Sequence, residues 1–180
     1  MYTTVVNGVT IHMTEYPTER DWCQVHRRAL LTVGKTPKKP PSTKWRKDIL
    51  MARHSPLRRL FFSFDLIGLP SYVSVHLVRH VHAQPYVRSQ RNDRQNEYDR
   101  TKAPQDAPVN MIWDMTGEEL VTIANKRLCN MADPFTQAIV RGCCDLVKQA
   151  CPEFEGELVP MCVRNGGVCY EMNGGCKKGV

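Results

Sequence analysis

The chain has 180 residues, 42% hydrophobic content and a formal net charge of +7. That length and apolar share suffice for one domain with its own core and make disulfide staples unnecessary. No apolar run reaches the length of a membrane span, and Met1-Tyr2-Thr3-Thr4 lacks the basic start and apolar stretch of a secretory signal, so a soluble cytoplasmic protein is expected. The positive charge favours an anionic partner, small phosphorylated ligand or nucleic acid, without choosing between them.

Asn7-Gly8 between Thr4-Val5-Val6 and Val9-Thr10-Ile11 reads as a hairpin, because Asn-Gly accepts the positive backbone angles of a tight turn. Thr18 is placed to cap a helix over Glu19–Leu31, whose Trp22, Val25 and Ala29 recur at helical spacing, and Gly34 ends it. Residues Lys35 to Lys47, rich in Lys and Pro, read as a basic loop. Leu60, Phe62, Phe64 and Leu66 alternate with Phe61, Ser63, Asp65 and Ile67, which predicts a strand with one wholly apolar face. Pro70 then opens a helix carrying Val73, Leu77 and Val78 that delivers Arg79 and His80 at its C-terminal end. Thr116 and Glu119 form a capping-box pattern for a helix to Met131, and Asp133-Pro134 starts another with Ile139, Val140, Cys143 and Leu146 on one side.

The stretch from Arg79 to Arg91 holds the densest chemistry. A nucleoside monophosphate asks for a forked cation at its phosphate, which arginine supplies as a planar, permanently charged donor. Ser89 and Arg91, two apart, share one side if the piece is extended. The bland alternative is a solvated basic edge of Arg79, Arg88, Arg91 and Arg94.

Arg79-His80 followed by Ser89 and Arg91 resembles the signature Arg-His-Arg-x-x-Ser-x-Asn-Glu-x-Ser-x-Arg of the flavin-dependent thymidylate synthases. His54-Ser55-Pro56 upstream and Asn125-Lys126-Arg127 downstream extend the resemblance from about His54 to about Pro152. It implies an α+β fold, a mixed or antiparallel sheet packed with helices, similar to thymidylate synthase-complementing proteins. It implies FAD approached by His54, Arg79 and His80, and a pyrimidine deoxynucleotide held by His76, Ser89, Arg91 and Arg127. Catalytic roles follow for His54 and Arg127, with methylenetetrahydrofolate as carbon donor, NADPH as reductant and a homotetramer that shares its sites. The expected reaction is transfer of a one-carbon unit to dUMP or a related nucleotide.

The middle of the motif departs from that pattern: Val81 stands where arginine is usual, Gln84 for serine, and Tyr86-Val87 for Asn-Glu. Glu118 occupies a helix position where arginine is common, and the polar stretch Asn92 to Pro108 replaces a longer helical insertion. These departures motivate an alternative, a nucleotide-binding protein of the same fold without flavin chemistry. His82 and Trp113 read as core or rim, and Tyr86 as packed against the sheet.

Eight cysteines remain. Cys162, Cys169 and Cys176 recur at equal spacing with Asn-Gly-Gly in each interval, so turns could gather them as zinc ligands, or they are free thiols of a loose tail. Cys23, Cys129, Cys143 and Cys144 read as packing groups. The division expected is a domain over 1–155 and a Cys/Gly-rich tail over 156–180. A third reading, a basic nucleic-acid-binding protein with a metal-bound tail, rests on the charge and these cysteines.

Overall fold

The computed structural model describes residues 1–89, 91, 99, 101–172, 175 and 176. Tyr2–Val6 (β1) and Val9–Glu15 (β2) form the expected hairpin, with φ of 50° at Asn7 and 82° at Gly8. Phe61–Pro70 (β3), Gln84–Val87 (β4) and Pro108–Thr116 (β5) complete a sheet in the order β1-β2-β3-β5-β4, with each neighbouring pair antiparallel. Among the described residues this is a five-stranded antiparallel sheet covered by helices, an α+β architecture.

One face of the sheet makes the core. Ile11, Met13, Phe62, Phe64, Leu66, Met111 and Trp113 are all essentially sealed from solvent, and each such side chain contributes about 1.5–3 kcal/mol by burial. The opposite face stays open, with Val5, Ile67, Tyr86 and Ile112 exposed. Tyr86, opposite Ile112 in the register, stands on that open face at 60% exposure instead of packing beneath the sheet.

Glu19–Leu31 (α1) starts as expected, with the Thr18 backbone N–H donating to the Asp21 carboxylate at 3.0 Å. Thr43–Met51 (α2) takes the end of what reads as a loop: Ser42 Oγ accepts from the Trp45 N–H at 3.2 Å, and Ile49 and Leu50 are buried. Its apolar residues lie mostly beyond Lys47, which hid the helix behind its basic first turn. A 3-10 turn, Ser55–Arg59, then leads into β3. Ser71–Val78 (α3), Gly117–Arg127 (α4), Pro134–Ala150 (α5) and the short Met161–Arg164 (α6) follow. α4 stops four residues before Met131, and the carbonyls just past its end are held from α5. The Gln137 side-chain amide donates to the Leu128 and Cys129 oxygens at 3.0 and 3.1 Å.

α5 lies against β1 and β2 at Gly142, where an added Cβ would come within 2.8 Å of Val6 and 2.9 Å of Ile11. Beyond residue 155 the chain continues into the core: Leu158 is buried, and Asn125 Nδ2 donates to the Glu157 and Val159 oxygens at 3.0 and 2.7 Å. No helix among the described residues is long and apolar enough to cross a membrane.

Candidate functional site

Three helix ends meet at the Arg79-His80 pair. The stretch before β5 caps α3, since Ser71 and Tyr72 N–H groups donate to the Ala107 and Gln105 oxygens, each at 3.0 Å. Val73 and Leu77 are buried and fix α3 on the sheet, while Val78 faces outward. Arg79 is its C-cap, and the chain then turns through His80 N–H to Leu77 O at 3.2 Å.

Arg127, in the last turn of α4, reaches across to this turn. Its Nε donates to His80 Nε2 at 2.9 Å and a terminal nitrogen donates to the His76 carbonyl at 2.7 Å. A guanidinium cannot accept, so His80 Nε2 must be bare and the ring proton sits on Nδ1, an assignment that follows from the hydrogen bonding. Nδ1 faces the Glu119 carboxyl at 3.7 Å, too far for a hydrogen bond. Burial, then Arg127 and Lys126, bring the His80 pKa down to about 4. The imidazole is therefore neutral at physiological pH. Burial pushes the Glu119 carboxyl up, and burial followed by the charge of Arg79 lowers Arg127.

His76 is held from the other side. The Thr136 hydroxyl donates to Asp133 Oδ2 at 2.8 Å, so at 2.8 Å from His76 Nδ1 it can only accept. His76 thus carries its proton on Nδ1, which locks α3 to the start of α5. The constellation of His76, Arg79, His80 and Arg127 is built within one chain and tied to three helices.

Two cavities flank it, each of about 400 Å³. One is bordered by Lys126, Arg127, Cys129, Cys162, Cys169 and Tyr170, the other by Arg58, His82, Thr116, Glu118, Glu119 and Thr122. Both fall in the size range of small-ligand pockets. Glu119 does not complete the expected capping box. Thr116 Oγ1 accepts from its N–H at 3.3 Å, but its carboxyl is turned to His80.

The other expected site residues lie apart. Gln84 pairs with Asp114 near His80, and β4 runs away from there to Val87, opposite Met111. Ser89 is thus roughly 16 Å further along the strand direction than Gln84, at about 3.3 Å per residue. Its hydroxyl accepts from the Arg91 backbone N–H at 3.3 Å, a local contact between neighbours two apart and not the extended pair expected. His54 is exposed at the start of the 3-10 turn and lines a cavity with Trp45 and Ile49, a different cavity from the one that Arg127 borders. Residues 92–98, Arg94 among them, lie outside the described residues, as does Arg100.

The zinc expectation is corrected. Among the described residues no group of three His, Cys, Asp or Glu side chains could hold a metal ion. Cys162, buried on α6, and Cys169, exposed beside Gly175, line one cavity, but with Cys176 they form no group of three that could hold a metal ion. Cys129 lies past the end of α4, where it lines a cavity, whereas Cys143 and Cys144 are packing groups. Burial lifts Cys144 and Cys151 to about 12 each, which keeps both as unreactive thiols.

No protein-family model matches the chain, and no curated protein matches it in sequence. The fold does match a solved structure, that of thymidylate synthase X from Helicobacter pylori with FAD and dUMP. The TM-score is 0.64 at 15% identity, over 82% of this chain and 98% of that one. The α+β fold of this chain is therefore similar to that of thymidylate synthase X.

Proposed function

We propose that the chain binds a pyrimidine deoxynucleoside monophosphate at Arg127 and acts in flavin-dependent one-carbon transfer to its base. The observation that carries this reading is the anchored guanidinium of Arg127, which is held by His80 and the His76 carbonyl and borders a cavity of about 400 Å³ beside Lys126. A cation fixed before the ligand arrives loses little side-chain freedom on binding, and suits phosphate by its forked donors. The dUMP carried by thymidylate synthase X supports the choice of ligand.

For the flavin the donor set can be judged on its charges. Arg79 is close enough to Arg127 to lower its pKa, and Lys126 acts likewise on His80. Three cations gathered at adjoining helix ends fit the anionic part of a flavin nucleotide. Bound there, FAD would supply the redox equivalent, with methylenetetrahydrofolate as carbon donor and NADPH as reductant. His80 is a positioning residue in this reading, because Nε2 is taken by Arg127 and the ring is only 7% exposed. Its neutral form avoids repelling Arg127 and keeps that guanidinium aimed. Ser89 and Arg91, at the far end of β4, would meet the nucleotide from a neighbouring copy in a homo-oligomer, with a tetramer as the expected state.

The test is to incubate purified protein with FAD, dUMP, methylenetetrahydrofolate and NADPH and to follow dTMP by chromatography, with flavin absorbance after desalting as a second readout. Product formation and retained flavin are expected. A second reading, nucleotide binding without flavin chemistry, is favoured by Val81, an apolar side chain 78% exposed beside His80. A colourless protein that binds dUMP but forms no product would select it.

A further inference from the structure

We infer that residues 22–47 form a binding surface for the phosphodiester backbone of a nucleic-acid duplex, engaged without regard to base sequence. The inference goes beyond the nucleotide reading and uses none of its residues. Of the chain's 25 Lys and Arg and 18 Asp and Glu, this run holds eight of the former and none of the latter. Its surplus of +8 exceeds the chain's +7, so all the other residues together carry −1. The excess charge of the protein is therefore local, and a local surplus sets up the field that draws in a polyanion.

Folding gathers the run. It completes α1, forms the loop and starts α2, and the two helices are held together by the His26 and Trp45 rings at 4.6 Å between centroids and by Arg46 over Trp22 at 5.3 Å. Arg46 is spent there, since its side chain is 12% exposed and pairs with Glu19 and Glu153. The other seven cations are exposed, two at the end of α1, three on the loop and two on α2. Among the described residues one of these seven is in an ion pair, Lys44 with Asp48 at 2.7 Å on the surface. Lys38 and Lys39 lie between Pro37 and Pro40-Pro41, and Pro41 is buried. Prolines keep such a segment extended and limit the freedom it loses on binding.

The side chains of the run select phosphates over bases. Trp22 is buried and Trp45 half-buried between the helices, which leaves no exposed ring for the stacking by which proteins hold single strands. They also select nucleic acid over a lipid surface. A polybasic patch anchors stably to a membrane only together with an apolar anchor. Trp22 and Val25, on the apolar face of α1, are sealed in the core, and the exposed large apolar side chains of the run are Leu31 and Val33 alone. Extended cationic side chains on a scaffold suit a duplex, whose charge lies at one per about 1.7 Å of its axis.

The experiment follows the full chain binding a fluorescent DNA duplex by anisotropy as salt is raised. With five or six phosphate contacts, affinity is expected to fall about a thousandfold between about 50 and 200 mM salt, a log–log slope of about −5. The variant Lys38→Gln/Lys39→Gln alters exposed side chains without ion pairs among the described residues, so its fold and its dUMP binding should be unchanged. Its slope should drop to about −3, a loss of about a hundredfold over the same range. Lys102→Gln/Lys148→Gln makes the same change in net charge outside the run and should leave the slope within about 0.5 of the wild-type value. No binding of the duplex, an unchanged slope in Lys38→Gln/Lys39→Gln, equal losses in the two double variants, or binding to phosphatidylserine vesicles without binding to the duplex would overturn the assignment.

Discussion

The end of α4 and the end of β4 carry similar side chains in different physical states. At α4, Arg127 is half-buried and committed to His80 and the His76 carbonyl, and His76 is itself locked through Thr136 to Asp133. At β4, Arg91 is exposed just past the edge strand of the sheet, next to Ser89. The first region is finished within one chain, so its residues contribute to stability as well as to binding. The second is presented outward, so its residues can be selected for binding with little effect on folding.

The largest expected effect follows from breaking the finished region. Arg127→Met leaves the His80 ring nitrogen and the His76 carbonyl without their donor and should lower stability by about 2–4 kcal/mol in urea titrations. Arg91→Ala should change stability by less than about 0.5 kcal/mol while weakening dUMP binding by about 1.5–3 kcal/mol. Equal stability losses in the two variants would erase the distinction.

The second effect is on pH. His80 falls from 6.5 to about 4 on folding, so its neutral form is favoured in the native state. The stability that this brings is fully present above the unfolded value and is lost as pH falls from about 6.5 to about 4. The loss is up to about 3 kcal/mol. Glu119, raised on folding, has the opposite sign: its contribution is greatest when protonated, so acidification recovers part of the loss. Chemical denaturation across this window should show stability falling toward acid, and His80→Gln should flatten the curve.

Smaller changes sharpen the contrast. Thr136→Val removes the acceptor of His76 Nδ1 and one donor to Asp133, and should cost about 1–2 kcal/mol in thermal unfolding. Ser89→Ala removes a hydroxyl contact to the Arg91 backbone, and should shift stability by a few tenths of a kcal/mol, about the surface norm.

Local signals made much of this fold legible. The Asn7-Gly8 turn, the Thr18 and Asp133 caps and the alternation through β3 depend on neighbours in sequence, and each stands where those neighbours put it. The interior strand β5 is less legible, although Val109, Met111, Trp113 and Met115 alternate with Asn110, Ile112 and Asp114. The methionines and the adjoining polar stretch weaken its strand signal, and only pairing with β3 and β4 completes it.

The candidate site divides in the same way. Arg79, His80 and Arg127 could be picked out by the resemblance of their motifs, and the structure brings them together. Their partners His76 O, Thr136 and Glu119 could not, because those contacts cross between α3, α4 and α5. Glu119 shows the limit clearly. Its spacing from Thr116 suits a capping box, yet tertiary packing turns its carboxyl toward His80.

The most direct test of the Arg127 site is a calorimetric titration of the full chain with dUMP and, in parallel, with deoxyuridine, which lacks the phosphate. A fixed guanidinium beside Lys126 predicts that dUMP binds at least about tenfold more tightly, the worth of one charge-assisted hydrogen bond. Equal affinity for the two, or no binding of either, would contradict the assignment of Arg127 as the phosphate anchor.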